Sequence, residues 1–110
     1  MKTLKFAEHL IEPILTGSKD ITWRINDDKG IQENDELSLC RIDGKEFAKA
    51  RVLWTREATF EQLGEKDKQG HETFSSDKEM YKTYSSYYHV PVKPSTPVKV
   101  IKFRLEYGIG

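Results

Sequence analysis

The stretch that predicts most about the fold of this chain is Gly17-Ser18-Lys19-Asp20-Ile21-Thr22-Trp23-Arg24. Gly17 predicts the end of a helix, because a residue without a Cβ readily takes the left-handed conformation that closes one. The residues after it alternate as a strand does, with Ile21 and Trp23 on one face. Thr22 and Arg24 lie on the other face. The stretch therefore predicts a helix-to-strand junction with one core face and one polar face.

Strand-like alternation recurs along the rest of the chain, in the segments 2–6, 37–42, 46–56 and 98–107. Asp43-Gly44 separates the second segment from the third and predicts a hairpin, because both turn positions favour positive φ. In the third segment, alternation places Ala48 on one face and Phe47 on the other. Four short strands in addition to the junction strand indicate a small sheet or barrel.

Helical spacing is found in fewer places. Apolar residues in 7–16 predict a helix whose first turn contains Pro13, and 59–63 predicts at most one short helical turn. The polar segment 65–72 predicts a loop. Ser75 and Ser76 precede acidic residues and predict a helix start. Three prolines then predict an extended connector: Pro91, Pro94 and Pro97.

Composition excludes several classes of protein. The chain has 110 residues, with 18 basic and 18 acidic side chains, which predicts one domain over residues 1–110. Zero net charge argues against bulk electrostatic binding of long nucleic acid, and no DNA partner is expected. We expect neither a membrane partner nor a secretory leader, because no apolar run is long enough. The single cysteine, Cys40, is compatible with a reducing cytoplasm.

The junction resembles the motif of a known family. Gly17, Lys19, Thr22 and Arg24 form the pattern Gly-x-Lys-x-x-Thr-x-Arg, which is similar to the motif of the ASCH domain family, a branch of the PUA-like proteins. The resemblance covers essentially the whole chain. It implies an α+β fold, a small PUA-like β-barrel of five to six mostly antiparallel strands with two to three flanking helices.

The resemblance implies a binding function first. A cleft lined by the motif would take RNA or a modified nucleoside or nucleotide, with Arg24 orienting a carbonyl or a phosphate. Ser18, Trp23 and His71 are further candidate ligand-binding residues. Trp23 is also consistent with a position in the core, and His71 is also consistent with a position on the surface. No cofactor is expected.

The alternative is an enzyme. Small ASCH-domain proteins of this length resemble amidohydrolases that remove the acyl group from N-acetylated cytidine. That resemblance implies Lys19 as the base, Thr22 as the nucleophile and Glu72 as the proton donor. Burial and the neighbouring Arg24 would lower the pKa of Lys19, as a base at neutral pH requires. The glutamate is less certain than the other two residues, and Glu65 is the second choice for it.

Three further groups of side chains stand out in the sequence. His9, His71 and His89 are not spaced as metal ligands, and no metal site is expected. The helical run of Met80 and four tyrosines indicates a core face or a stacking platform, with Tyr87 or Tyr88 at the border of the cleft. Basic side chains on later segments form either a basic rim or an ordinary solvated surface: Lys49, Arg51, Arg56, Lys93, Lys99, Lys102 and Arg104.

Overall fold

A computed structural model of the chain describes residues 1–108. Within them, the strands are β1 (Lys2–Phe6), β2 (Ile21–Arg24), β3 (Glu36–Arg41), β4 (Glu46–Thr59) and β5 (Pro97–Gly108). The α-helices are α1 (Ile11–Thr16), α2 (Glu65–Lys68) and α3 (Asp77–Tyr88). Two single turns of 3₁₀-helix, Glu8–Leu10 and Phe60–Gln62, precede α1 and follow β4.

The five strands form one mixed sheet in the order β1-β3-β4-β5-β2, curved into a half-barrel. Only β1 and β3 are parallel; the other three neighbouring pairs are antiparallel. The predicted class, an α+β fold with five to six mostly antiparallel strands and two to three helices, is confirmed. Because β2 is hydrogen-bonded to β5, the N-terminal junction lies beside the last strand.

The junction forms as its sequence predicts. Helix α1 ends at Gly17, whose φ is +88°. Pro13 is the third residue of α1, where a missing N–H costs nothing because the first backbone donors of a helix have no partner within it. Its carbonyl oxygen accepts a hydrogen bond from the Lys19 N–H at 3.0 Å. The chain therefore turns tightly from α1 into β2.

The β3–β4 hairpin turns at Asp43-Gly44 as predicted, but only Gly44, at φ +92°, has positive φ, and one side chain also differs from the prediction. The pairing shifts so that Leu39 faces Ala48 while Cys40 faces Glu46, which leaves Phe47 in a bulge. Phe47 and Ala48 are therefore both buried in one cluster. The alternation that placed Phe47 on the opposite face was wrong there, because an extra residue in one strand resets the faces.

The polar segment 65–72 is not entirely a loop. It begins with the short helix α2, whose first turn is held by Asp67, which accepts a hydrogen bond from the Gly64 N–H at 2.9 Å. Arg56 on β4 donates to both carboxylate oxygens of Asp67. The prediction of a loop was wrong for α2. An ion pair with Arg56, a strand residue distant in the sequence, stabilises a helix that is too short to form alone.

Two apolar clusters cover the faces of the sheet. The first lies beneath α1 and includes Phe6, Ile14 and Phe103. The second lies beneath α3 and includes Trp23 and Tyr84. Of the two serines predicted at the start of α3, Ser76 is the cap, since its Oγ accepts from the Glu79 N–H at 3.1 Å. No helix in residues 1–108 has the length and apolar character needed to span a membrane.

Candidate functional site

Lys19 is held at the junction by backbone and side-chain bonds. Its N–H donates to the Pro13 carbonyl oxygen, and its Nζ donates to the Ile21 carbonyl oxygen at 2.7 Å. The residue is 3% exposed, which is unusually low for a lysine. A buried ammonium requires a counter-ion, because its desolvation is otherwise too costly.

The counter-ion is Glu72, which arrives from the loop between α2 and α3. Gly70 in this loop accepts two hydrogen bonds through its carbonyl oxygen, from the N–H groups of Asp20 at 2.9 Å and Ile21 at 3.2 Å. Gly70 has φ +88°, which favours glycine, and a Cβ there would lie 2.0 Å from Asp20 Oδ1, so the Asp20 side chain would have to move. The loop is therefore attached directly to the start of β2, with Glu72 two residues beyond the attachment.

Lys19 Nζ and Glu72 Oε1 are 2.5 Å apart. Burial lowers the pKa of Lys19, and the Glu72 carboxylate only partly opposes this shift. Burial raises the pKa of Glu72, but Lys19 and His71 together hold the pKa of this carboxyl below its usual value. The pair thus joins an ionised carboxylate to an amine that releases its proton more readily than a free lysine does.

Thr22 and Arg24 lie next to each other on β2. Arg24 Nε donates to Thr22 Oγ1 at 3.1 Å, and Arg24 Nη2 donates to the Lys5 carbonyl oxygen at 3.0 Å. The guanidinium also lies over the Phe6 ring, 4.6 Å from its centroid. Thr22 is 4% exposed, and its own hydroxyl proton is not used in the bond with Arg24. The guanidinium is therefore fixed by three neutral groups.

His71 supports this arrangement from the side of the core. Its ring stacks on Trp23 with centroids 3.6 Å apart and planes at 10°. Nδ1 lies 2.8 Å from the Glu72 backbone oxygen, which can only accept, so Nδ1 carries the proton. Nε2 then accepts from the Tyr84 hydroxyl at 3.0 Å. Burial lowers the pKa of His71 to about 4, and the ring is neutral at physiological pH.

These elements enclose a cavity of about 260 Å³ between the end of β1, strand β2 and helix α3. Its polar wall consists of Lys5, Lys19, Thr22, Arg24 and Glu72. Its apolar and aromatic wall consists of Phe6, Ala7, Leu10, Trp23, Ile42, Tyr84, Tyr87 and Tyr88. One small cavity thus contains cations, a carboxylate, a hydroxyl group and several aromatic rings.

The structure brings five of the residues predicted from sequence to this cavity: Lys19, Thr22, Trp23, Arg24 and Glu72. Ser18 lies outside it, exposed at the end of α1, where its hydroxyl donates to the Pro13 carbonyl oxygen. His71 is neither on the surface nor in the cavity wall, because it is buried behind Glu72. Glu65, the second choice for the glutamate, is exposed on α2.

Several cavity residues were not predicted. Phe6 and Lys5 come from the end of β1, and nothing in the sequence marks them, because a parallel pairing with β3 brings them to the site. For the tyrosines, a core face or a stacking platform was expected, with Tyr87 or Tyr88 at the border of the cleft. Tyr84 belongs to the core as expected, and Tyr87 and Tyr88 both border the cavity.

The scattered basic residues do not form a rim around the cavity. Arg51, Lys99 and Lys102 make ion pairs with carboxylates at 2.7–3.2 Å, and Arg56 pairs with Asp67. None of the seven basic side chains considered from the sequence lines the cavity. In the described part of the chain, no three His, Cys, Asp or Glu side chains are grouped so as to hold a metal ion.

Solved structures share this fold with little sequence in common. An ASCH domain from Lactobacillus crispatus has a TM-score of 0.68 at 12% identity, covering 94% of this chain and 79% of that one. The protein EF3133 from Enterococcus faecalis, of the family DUF984, has a TM-score of 0.74 at 11% identity, covering 89% and 70%. The hypothetical protein PH0355 has a TM-score of 0.73 at 26% identity, covering 96% and 99%.

No protein-family model and no curated protein matches the sequence. The resemblance drawn from Gly17, Lys19, Thr22 and Arg24 is nevertheless confirmed at the level of the fold, because a solved ASCH domain has the same architecture over most of its length. This chain has the fold of the ASCH domain.

Proposed function

We propose that this protein binds a modified nucleoside or nucleotide in the cavity between β1, β2 and α3. The observation that carries the proposal is the composition of its wall, which combines aromatic rings with a few convergent polar groups in about 260 Å³. Small-molecule sites have this composition, since apolar walls supply affinity and a small number of polar groups supply specificity. The volume suits a single base with its sugar better than a polymer.

The polar groups match the edge of a pyrimidine. Lys19, Thr22 and Arg24 are donors, which suits a ring carbonyl or an acyl oxygen. Glu72 is an acceptor, which suits an N–H group on the same edge. Tyr87 and Tyr88 supply flat faces on which a base stacks favourably. The arrangement supports recognition of one base by its hydrogen-bonding edge and by its face.

The surface charge favours a small ligand over long RNA. Binding to a nucleic-acid backbone requires several unpaired cations along one surface. The strand cations Arg51, Lys99 and Lys102 are instead paired with carboxylates, and the net charge of the chain is zero. The cytoplasm is the proposed setting, because nucleotides are found there and the buried Cys40 stays reduced.

The test is a calorimetric titration with cytidine, N-acetylated cytidine and other modified nucleosides. We expect at least one to bind, and we expect Thr22→Val and Glu72→Gln to weaken its binding by about tenfold or more, since the first removes a hydroxyl donor and the second replaces a charged acceptor with a neutral one. The matched control is Thr55→Val, at a half-buried strand position outside the cavity. If neither a nucleoside nor a nucleotide binds the folded protein, the proposal is wrong.

The second candidate is hydrolysis of the amide of an N-acylated cytidine. The observation that favours it is the 2.5 Å contact of Lys19 with Glu72 in the same cavity as the Thr22 hydroxyl. A proton passed from Lys19 to Glu72 across this contact would create a neutral amine and a carboxylic acid together. The pair would then hold both the base and the proton donor that amide cleavage needs.

In the proposed hydrolysis, every bond and every proton is accounted for. Lys19 takes the Thr22 proton as Thr22 Oγ1 bonds to the acyl carbon, and Arg24 stabilises the negative charge on the carbonyl oxygen. Glu72 gives its proton to the cytidine nitrogen as the C–N bond breaks. The products are cytidine and an acyl-threonine ester that water hydrolyses, and the Lys19–Glu72 ion pair is restored.

A turnover assay separates the two candidates. N-acetylated cytidine is incubated with the protein, and loss of the acyl group is followed by chromatography. We expect the wild-type protein to release the acyl group and Lys19→Ala not to release it. The control Lys45→Ala changes an exposed residue in the hairpin and should release the acyl group as wild type does. No release at an enzyme concentration near that of the substrate would rule out hydrolysis of this amide and leave the binding proposal standing.

A further inference from the structure

We infer that the ligand of this cavity carries a phosphate that Arg24 binds at the cavity mouth, so that the protein selects a nucleotide over the corresponding nucleoside. This inference rests on the proposed function and specifies its ligand. It is drawn from the charge distribution around the cavity and from the partners of one guanidinium.

The charges of the chain are distributed unevenly. The whole sequence has as many basic as acidic side chains. The cavity wall, however, has three cations, Lys5, Lys19 and Arg24, and a single carboxylate, Glu72. His71 behind it is neutral, since the pKa of its buried ring is about 4. With Glu72 neutralised by Lys19, two positive charges remain on one side of the cavity.

Arg24 differs from three other charged side chains that are withdrawn from water. Lys19, Asp67 and Lys99 each have an oppositely charged partner. Half-buried Arg24 has none within 4.0 Å among residues 1–108. A cation taken from water without a counter-ion costs free energy. An anion supplied by the ligand would recover that cost on binding.

The guanidinium is already oriented for this purpose. Of its five N–H groups, one on Nε donates to Thr22 and one on Nη2 donates to Lys5. The Phe6 ring packs against one face of the guanidinium. The remaining donors lie in the plane of the guanidinium, which suits two oxygens of a phosphate.

Two sets of polar groups in the cavity suit the two parts of a nucleotide. Thr22 and the Lys19–Glu72 pair provide donors and an acceptor for the base. Arg24 and exposed Lys5 provide positive charge where the wall meets solvent. A phosphate placed there keeps part of its hydration, while the base is enclosed.

The experiment compares N-acetylcytidine with its 5′- and 3′-monophosphates by calorimetry, at about 50 mM and about 500 mM salt. We expect one monophosphate to bind about tenfold or more tightly than the nucleoside at the lower salt concentration, and this advantage to shrink at the higher one. Arg24→Gln should remove the advantage. Arg104→Gln, which deletes an exposed cation on β5 outside the cavity, should keep it.

Because each ratio is measured within one variant, general damage to the cavity cancels. Equal binding of nucleoside and nucleotides by wild type, or an advantage that survives in Arg24→Gln, would overturn the inference. If neither ligand class binds, the proposed function fails and titration with inorganic phosphate decides this inference separately. A saturating shift of the Arg24 Nε–Hε resonance would support the anion site, and an unchanged resonance would reject it.

Discussion

Lys19 Nζ lies 2.5 Å from Glu72 Oε1, although 53 positions separate the two residues in the chain. The Lys19 side chain is 4% exposed and that of Glu72 is 25% exposed, so the pair is shielded from water on the lysine side and open to the cavity on the other. The contact joins the helix-to-strand junction to the loop before α3. It links the motif to a carboxylate that the motif does not contain.

Removing one partner of this pair should cost more than removing both. Lys19→Met leaves the Glu72 carboxylate without a counter-ion, and we expect a loss of about 2 kcal/mol in the free energy of unfolding, less than for a fully buried pair because Glu72 is partly solvated. The double variant Lys19→Met/Glu72→Leu should recover part of that loss. Urea unfolding of wild type and the two variants measures both effects, and a double variant at least as destabilised as Lys19→Met would contradict the coupling.

Gly70→Ala should affect both stability and ligand binding. The new Cβ would displace Asp20, which is paired with Lys102 at 2.7 Å, and would move the loop that carries Glu72. We expect a loss of unfolding free energy larger than the roughly 1–2 kcal/mol due to positive φ alone, together with weaker ligand binding. Gly44→Ala is the control, since Gly44 has a similar φ of +92° and open space around it. Equal losses in the two variants would show that the Asp20 contact is unimportant.

His71 should make the protein less stable in mild acid. The pKa of its ring is lowered to about 4 in the folded protein from an ordinary value of 6.5, chiefly by burial. The unfolded chain therefore binds the proton first as the pH falls through this window, and unfolding is favoured. We expect a loss of about 2 kcal/mol between about pH 7 and about pH 5.

Urea unfolding at these pH values tests the role of His71. In His71→Gln, which cannot take up the proton, this pH dependence should largely disappear. The control His9→Gln changes an exposed ring and should keep the wild-type pH dependence. A His71→Gln protein as acid-sensitive as wild type would assign the effect to other groups.

Asp67→Asn should weaken the support of the Trp23 wall. Asp67 is 3% exposed, and its carboxylate binds Arg56 and the Gly64 N–H. Its backbone carbonyl oxygen accepts from Trp23 Nε1 at 3.0 Å. We expect a loss of about 2–3 kcal/mol in unfolding free energy and a red shift of tryptophan emission as α2 loosens. Glu65→Gln, at an exposed position on α2, should change neither quantity.

Local chemistry explains which elements were predictable. Gly17 ends α1, Ser76 caps α3 and Gly44 closes the hairpin, as expected, because each acts on residues within about four positions of itself. The burial of Ile21 and Trp23 followed from alternation alone. These features depend on backbone geometry that a few neighbouring residues determine.

The errors share a different cause. The burial of Phe47 results from a register shift between β4 and β3. Helix α2 is stabilised by Arg56, which lies on β4. His71 was assigned to the surface or the cleft, yet a stacked contact with Trp23 buries it. Periodicity within a segment contains no information about such partners, because they are distant in the chain.

The sequence by itself determined the junction: a helix closed by Gly17, followed by a strand that carries Thr22 and Arg24 on one face. It also determined the resemblance that the fold confirms. Only the tertiary structure decided which groups meet these residues. Phe6 arrives through a parallel strand pairing and Glu72 through a loop hydrogen-bonded to β2. The cavity and its charge therefore depend on long-range packing, whereas the motif on its wall is local in origin.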